Sequence, residues 1–384
     1  HPRHPRSFVG SHRMSTVKPG TVAPVAPPNA TPSGSPDARR AAPQRSAVQR
    51  LAIPVLLLGL LASCVLALLI GAFPVSLSQI GASLVDGVTG SPQAGTAGDV
   101  IWNIRLPRVL LAVVVGACLA CAGTVMQGVF ANPLAEPGIV GVSSGAAVGA
   151  VLVIILGLTA LGGWVLPVAA FAMGLAVTVM VYGLSRVNGR SEVLTLILVG
   201  IAVNAFGGAV IGLAMSVSDD SQLRSITFWN LGSLSAATWP AVLTVLPFAI
   251  LGVAATPFLA HRLDLLVLGE RGAAHLGVNV EAVRRWSILL VALLTAAAVA
   301  VAGIIVFVGL VVPHAVRLVV GPRHRLLIPA TAIAGAMLLV LADVISRTVV
   351  APREIPLGVL TALIGSPVFF WLLRREHSRR GAWA

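Results

Sequence analysis

Charge is what this sequence of 384 residues mostly does without: Asp, Glu, Lys and Arg together make up 10% of it, against 57% hydrophobic residues. Soluble domains carry about 25% charged residues, so a water-soluble globular fold is excluded and the chain belongs in lipid. Lysine is almost missing, with Lys18 alone. A Walker A phosphate loop needs a lysine within GxxxxGK[ST], so ATP hydrolysis by that mechanism is excluded. The 13 acidic residues are scattered, and the near pairs Asp219 with Asp220 and Glu270 with Glu281 fall in predicted loops. There is no HExxH, no GxSxG and no GxGxxG in a βαβ setting, so an intramembrane enzyme would lack its clustered catalytic pair. Cysteine is limited to Cys64, Cys118 and Cys121, all inside apolar stretches. "CLAC" at 118–121 is a CxxC by spelling, but no second Cys/His cluster accompanies it. Two small packing residues are expected there, and no metal site.

What the sequence does have is long apolar runs of about 20 residues, the length that crosses a hydrocarbon core of roughly 30 Å. Segments of about ten residues alternating apolar and polar, as a membrane β-barrel requires, do not occur. The expected fold is all-α, a polytopic membrane protein with about ten transmembrane helices. The spans are placed at 51–72, 109–130, 139–158, 161–183, 193–215, 238–260, 286–305, 307–320, 326–346 and 356–373. A disordered tail is expected over 1–50, which is rich in Pro, Ala, Ser, Thr and Arg, and a short second tail over 377–384. The membrane domain is 51–376. Met14 is a candidate natural start, and the first apolar run lacks a small-residue cleavage site, so it reads as a retained span.

The formal charge of +13 does not point to nucleic acid, because basic residues collect at span ends, where the positive-inside rule puts them. Arg39, Arg40, Arg45 and Arg50 precede the first span, and Arg374, Arg375, Arg379 and Arg380 follow the last. Both termini are therefore expected in the cytoplasm, which requires an even number of spans. With ten, Arg186, Arg190, Arg262, Arg271, Arg284, Arg285, Arg323 and Arg325 fall on the same side.

Ion-coupled carriers bury ionisable residues mid-membrane, and these span interiors are nearly free of charge. Asp343 lies four residues before Arg347, the spacing of a structural ion pair on one helix. The energy for any transport is then expected from another subunit. Gly141, Gly145 and Gly149 lie four apart on one face, which packs against another helix or lines a path. Ala122-Gly123 stands ten residues before Pro133, and Ala302-Gly303 ten before Pro313. This echo is offset by five spans, as in an inverted repeat. The segment 261–285 is amphipathic, with Glu270, Arg271, Arg284 and Arg285 facing water or a partner. It is either a solvated connector or a docking element.

"RLPRVLLAVVVGACLACAGTVMQGVFANPLAEPGIVGVSSGAAVGAV" (105–151) resembles the permease family that imports iron chelates and cobalamin in binding-protein-dependent ABC systems, the BtuC-like type II importers. "LILVGIAVNA" (196–205), "LGERGAAHLGV" (268–278), "GLVVPHAVRL" (309–318) and "DVISRTVVAPREIPLGVLTALIGSPVFFWLLRR" (343–375) match in the family's order. The resemblance implies a homodimer with its pathway on the two-fold axis, in the bacterial cytoplasmic membrane. It also implies two ATP-binding cassette ATPase subunits that use ATP with magnesium, an extracytoplasmic substrate-binding protein, and no cofactor on this chain. By the same resemblance Arg105, Arg108 and Arg347 dock the binding protein, although a helix end anchored at the headgroups would also suit the first two, and Asp343 would suit the third. Asn132, Pro133 and Leu134 match the cytoplasmic constriction, and Glu270, Arg271 and Gly277 match the ATPase-coupling segment. Haem or a ferric siderophore is the implied cargo, with cobalamin as the alternative and an ATP-independent secondary carrier as the rival. Neither His314, in a motif shared whatever the cargo, nor Tyr182, near a helix end, is a haem ligand on this reading. Two roles stand open for Glu136: capping the following helix, or meeting the ATPase.

Overall fold

The computed structural model describes residues 36–89, 95–187 and 190–381. The chain divides into two units, His1–Pro43 and Gln44–Ala384; nearly all of the first lies outside the described residues. So does the expected disordered tail as far as residue 35. From Pro36 the described chain is helical.

In chain order the elements are α1 (Pro36–Leu69), α2 (Leu77–Thr89) and α3 (Gly95–Asp99), which runs through a π-helical turn (Val100–Arg105) into α4 (Leu106–Val129). A 3₁₀ turn (Pro137–Val140) leads into α5 (Val142–Ile155), followed by α6 (Val165–Leu184). The short strands β1 (Arg186–Val187) and β2 (Arg190–Ser191) pair antiparallel, Arg186 opposite Ser191. Then come α7 (Val193–Ser216), α8 (Asp220–Leu231), α9 (Trp239–Leu266), α10 (Glu270–His275), α11 (Val280–Ala302), α12 (Val308–Val320), α13 (His324–Thr348) and α14 (Leu357–Gly381).

Among the described residues, seven helices are long and apolar enough to cross a membrane: those containing α1, α4, α6, α7, α9, α11 and α13. Three shorter apolar helices, 142–155, 308–320 and 357–372, fall where the sequence places its third, eighth and tenth spans.

Burial sorts these helices. The apolar window of α4 is 78% buried, while that of α7 is 17% buried. Small residues let α4 sit at the centre. A Cβ on Gly116 would come within 2.3 Å of the Gly335 carbonyl on α13, and one on Gly123 within 1.8 Å of the Gly309 carbonyl on α12. Lipid tails supply no hydrophobic drive between helices, so such close backbone contact is how membrane helices gain packing energy. The Gly145 and Gly149 face behaves likewise, meeting Met173 and Ala169 on α6. The internal echo is inexact: α4 continues six residues past Gly123, whereas α11 stops at Ala302. Both long helices nevertheless lead through a broken connection into a short one.

Candidate functional site: arginine centres at both ends of the bundle

The α4–α5 connection is built by local chemistry. After α4, Ala131 adopts a left-handed φ of 46°, and the Asn132 side-chain oxygen accepts from the Leu134 amide at 2.9 Å. This Asx-type turn and Pro133, which has no amide to continue a helix, fix the bend. Asn132 and Leu134 are exposed and Pro133 is half-buried. Asn204 of α7 donates to the Gly138 carbonyl at 3.1 Å, and buried Gln127 donates to the Leu310 carbonyl at 3.1 Å. Glu136 does not cap the 3₁₀ turn that follows it, which has no side-chain cap; its carboxylate instead accepts from the Phe307 amide, 3.4 Å away, at the start of α12. The two broken connections therefore meet.

At the end of the bundle where α4 begins, Arg105, Arg108 and Arg347 come together. Arg105 is 3% exposed and Arg108 9%. Arg105 donates to the carbonyls of Leu68, Leu69 and Phe73, and Arg347 to that of Ala67. The last carbonyls of α1, which have no intrahelical donors, are thus capped by two guanidinium groups at the helix's negative end. Arg108 is shared by two acids. Its Nε reaches both oxygens of Asp343, at 2.9 and 3.1 Å, and its terminal nitrogens grip Glu354 bidentately at 2.8 Å each. Asp343 also lies 3.6 Å from Arg347, the expected i,i+4 pair. Hydrogen bonding to Arg108, opposed by burial, holds the Glu354 carboxyl below its usual range. All three arginines expected at the docking face are turned inward, onto α1, α13 and the loop before α14.

The opposite end holds α10. Gly277 has a left-handed φ of 81°; its amide bonds the Ala274 carbonyl and that of Val278 bonds Ala273. This is a Schellman cap, the reason glycine stands there. Asn279 then caps α11 through the Ala282 amide at 2.9 Å. Val267, Leu268 and Leu276 are all more than half exposed around the short helix, and Arg271 is exposed. Glu270 instead pairs with Arg284. Arg284 corrects the sequence reading: expected to face water or a partner, it is 4% exposed. Neighbours on a helix point about 100° apart, so Arg285 takes the exposed side and Arg284 the inner one. Among the described residues no three His, Cys, Asp or Glu side chains gather as a metal site. Cys118 and Cys121 are unpaired and buried in α4.

These features sit on a chain that matches the family model of the FecCD transport family over residues 59–375. The chain belongs to the FecCD transport family. The hemin transport system permease protein HmuU of Yersinia pestis is 46% identical over 296 residues, covering 74% of this chain and 87% of that protein. The cobalamin import system permease protein BtuC of Halobacterium salinarum is 45% identical over 284 residues, covering 74% and 76%. Among solved structures, an inward-facing metal-chelate type ABC transporter superposes with a TM-score of 0.75 at 34% identity, covering 84% of this chain and 98% of that one. As a FecCD permease the chain is a transmembrane transport component.

Proposed function

We propose that this FecCD permease is the membrane subunit of a binding-protein-dependent ABC importer that carries a chelated iron compound, haem or a ferric siderophore, into the cytoplasm. It works as a homodimer in the cytoplasmic membrane, with both termini inside. Energy comes from two separate ATPase subunits that use ATP with magnesium; this chain holds no cofactor. The observation that carries the reading is α10, a short capped helix ringed by exposed Val267, Leu268 and Leu276. Exposed apolar side chains beside a polar loop suit a protein contact, and the likeness of this segment to the family's coupling segment supports the ATPase as the partner. Arg271 faces that partner, while Glu270 and Gly277 set the helix's position.

The exposed Asn132 and Leu134 on the bend at Pro133 suit a constriction, since non-helical backbone at membrane depth is tolerated where it lines a cavity. A binding protein docks at the Arg105, Arg108 and Arg347 end by offering carboxylates that compete with Glu354 for Arg108. Cobalamin is the second reading, supported by the haloarchaeal relative at nearly the same identity.

The deciding experiment reconstitutes the permease with its ATPase subunit and binding protein in liposomes and measures uptake of haemin, a ferric siderophore and cobalamin. ATP-dependent accumulation of one iron chelate is expected. Uptake that persists without the ATPase subunit overturns the proposal in favour of a secondary carrier.

A further inference from the structure

Arg284 lies at the second turn of α11 with its side chain 5% exposed, and it holds three segments at once. One terminal nitrogen donates to Glu270 on α10. The other donates to the Ser191 carbonyl and, at 3.2 Å, to the Ser191 hydroxyl on β2. On its own helix, Glu281 lies 3.9 Å away. Glu281 in turn accepts from the Tyr182 hydroxyl at the end of α6 (2.6 Å), and from the Ser191 amide (3.0 Å) and hydroxyl (2.8 Å). The network therefore joins α10 to the strand that opens α7, to the end of α6 and to α11. Only a planar fork with several fixed donors can hold a carboxylate and a carbonyl in different directions; a single ammonium could hold one well.

The exposures differ sharply across these contacts. The Glu270 side chain is 64% exposed, that of Glu281 29%, and that of Arg284 5%. A push on α10 from outside thus has a charged route into the bundle, from exposed Glu270 through buried Arg284 to Ser191. We infer that Arg284 is the positioning residue that transmits movement of α10 to β2 and α7, making the hairpin and the first turn of α7 respond when an ATPase engages α10. This rests on α10 being the ATPase contact. Coupling of this kind needs a physical link that both ends bias, and the Glu270–Arg284–Ser191 contact is such a link.

Hydrogen exchange by mass spectrometry on the full-length permease in nanodiscs, with and without its ATPase subunit trapped by ATP and vanadate, separates the two claims. In the wild type, the ATPase should slow exchange both in a peptide spanning 268–276 and in a peptide beginning at Ser191, each about tenfold. In Arg284→Met the slowing at 268–276 should persist while that at Ser191 falls below about twofold. A purely structural role would speed exchange in the free protein yet leave the ATPase-dependent difference at Ser191 intact, and that result overturns the proposal. No slowing at 268–276 in the wild type overturns the coupling reading itself. If Arg284→Met does not fold, Glu270→Gln, altered at an exposed carboxylate, should show the same loss at Ser191; full slowing there overturns the role of Arg284.

Discussion

Arg108 and Arg284 make an instructive pair. Each is a buried arginine that meets two carboxylates, and they stand at opposite ends of the bundle. Arg108 joins two long helices and the loop before α14: its inner partner Asp343, on α13, has a side chain 2% exposed and is gripped by Arg347 as well, while Glu354 holds Arg108 from the loop. Arg284 works between a long helix and two short pieces, a six-residue helix and a two-residue strand. The same chemistry therefore seals one end and articulates the other. Desolvation makes the difference: a charge buried with its partner cannot leave without a large penalty, whereas a half-exposed carboxylate can exchange its partner for water.

Removing Asp343 tests the sealed end with the largest expected effect. Asp343→Ala takes a buried carboxylate from both Arg108 and Arg347, leaving Arg108 with Glu354 and Arg347 with the Ala67 carbonyl, a loss of about 3 kcal/mol. Thermal unfolding in detergent should show a strongly lowered midpoint, and a wild-type midpoint would refute the sealing role. At the articulated end, Glu270→Arg sets like charges together where Arg284 had a partner. The expected outcome is a roughly tenfold fall in cargo moved per ATP hydrolysed with the fold retained; wild-type stoichiometry in proteoliposomes would sink it. Gly277→Ala places a side chain at a left-handed φ, costing about 1–2 kcal/mol. Faster hydrogen exchange confined to 270–279 is expected, and exchange unchanged there would count against the cap.

The smallest effect is the pH response of Glu354. Its folded carboxyl is depressed chiefly by hydrogen bonding to Arg108, so its contribution is fully present above the ordinary glutamate value of about 4.3 and is lost as pH falls through the lower folded value. The difference in melting temperature between wild type and Glu354→Gln should stay constant from neutral pH down to about 5 and shrink below about 4. A constant difference throughout would remove Glu354 from the acid response.

Apolar length and arginine placement made the long helices legible, because burial in lipid demands about twenty apolar residues and little else. They could not show α8, whose sequence is neither long nor apolar. A signal was nevertheless present in "DDSQ": Asp219 accepts from the Ser221 and Gln222 amides, and the Gln222 side chain accepts from the Asp219 amide. That reciprocal capping box starts a helix where a loop was expected. The candidate sites were legible as residues and not as directions. Arg105, Arg108 and Arg284 all stand where polar chemistry belongs, but which way a guanidinium points depends on acceptors far away in the chain. Glu136 is the same case, since Phe307 is 171 residues distant.

That distance has a consequence for how the protein is made. The carbonyl end of α1 is finished by Arg105, made soon afterwards, and by Arg347, which comes 280 residues after Ala67. Chains emerge N-terminus first, at about 5–20 residues per second. The first helix must therefore wait in the membrane for tens of seconds, with its end closed on one side only, until α13 arrives. Its final fastening and the sealing of the Asp343 cluster are one late event, because both use the same turn of α13.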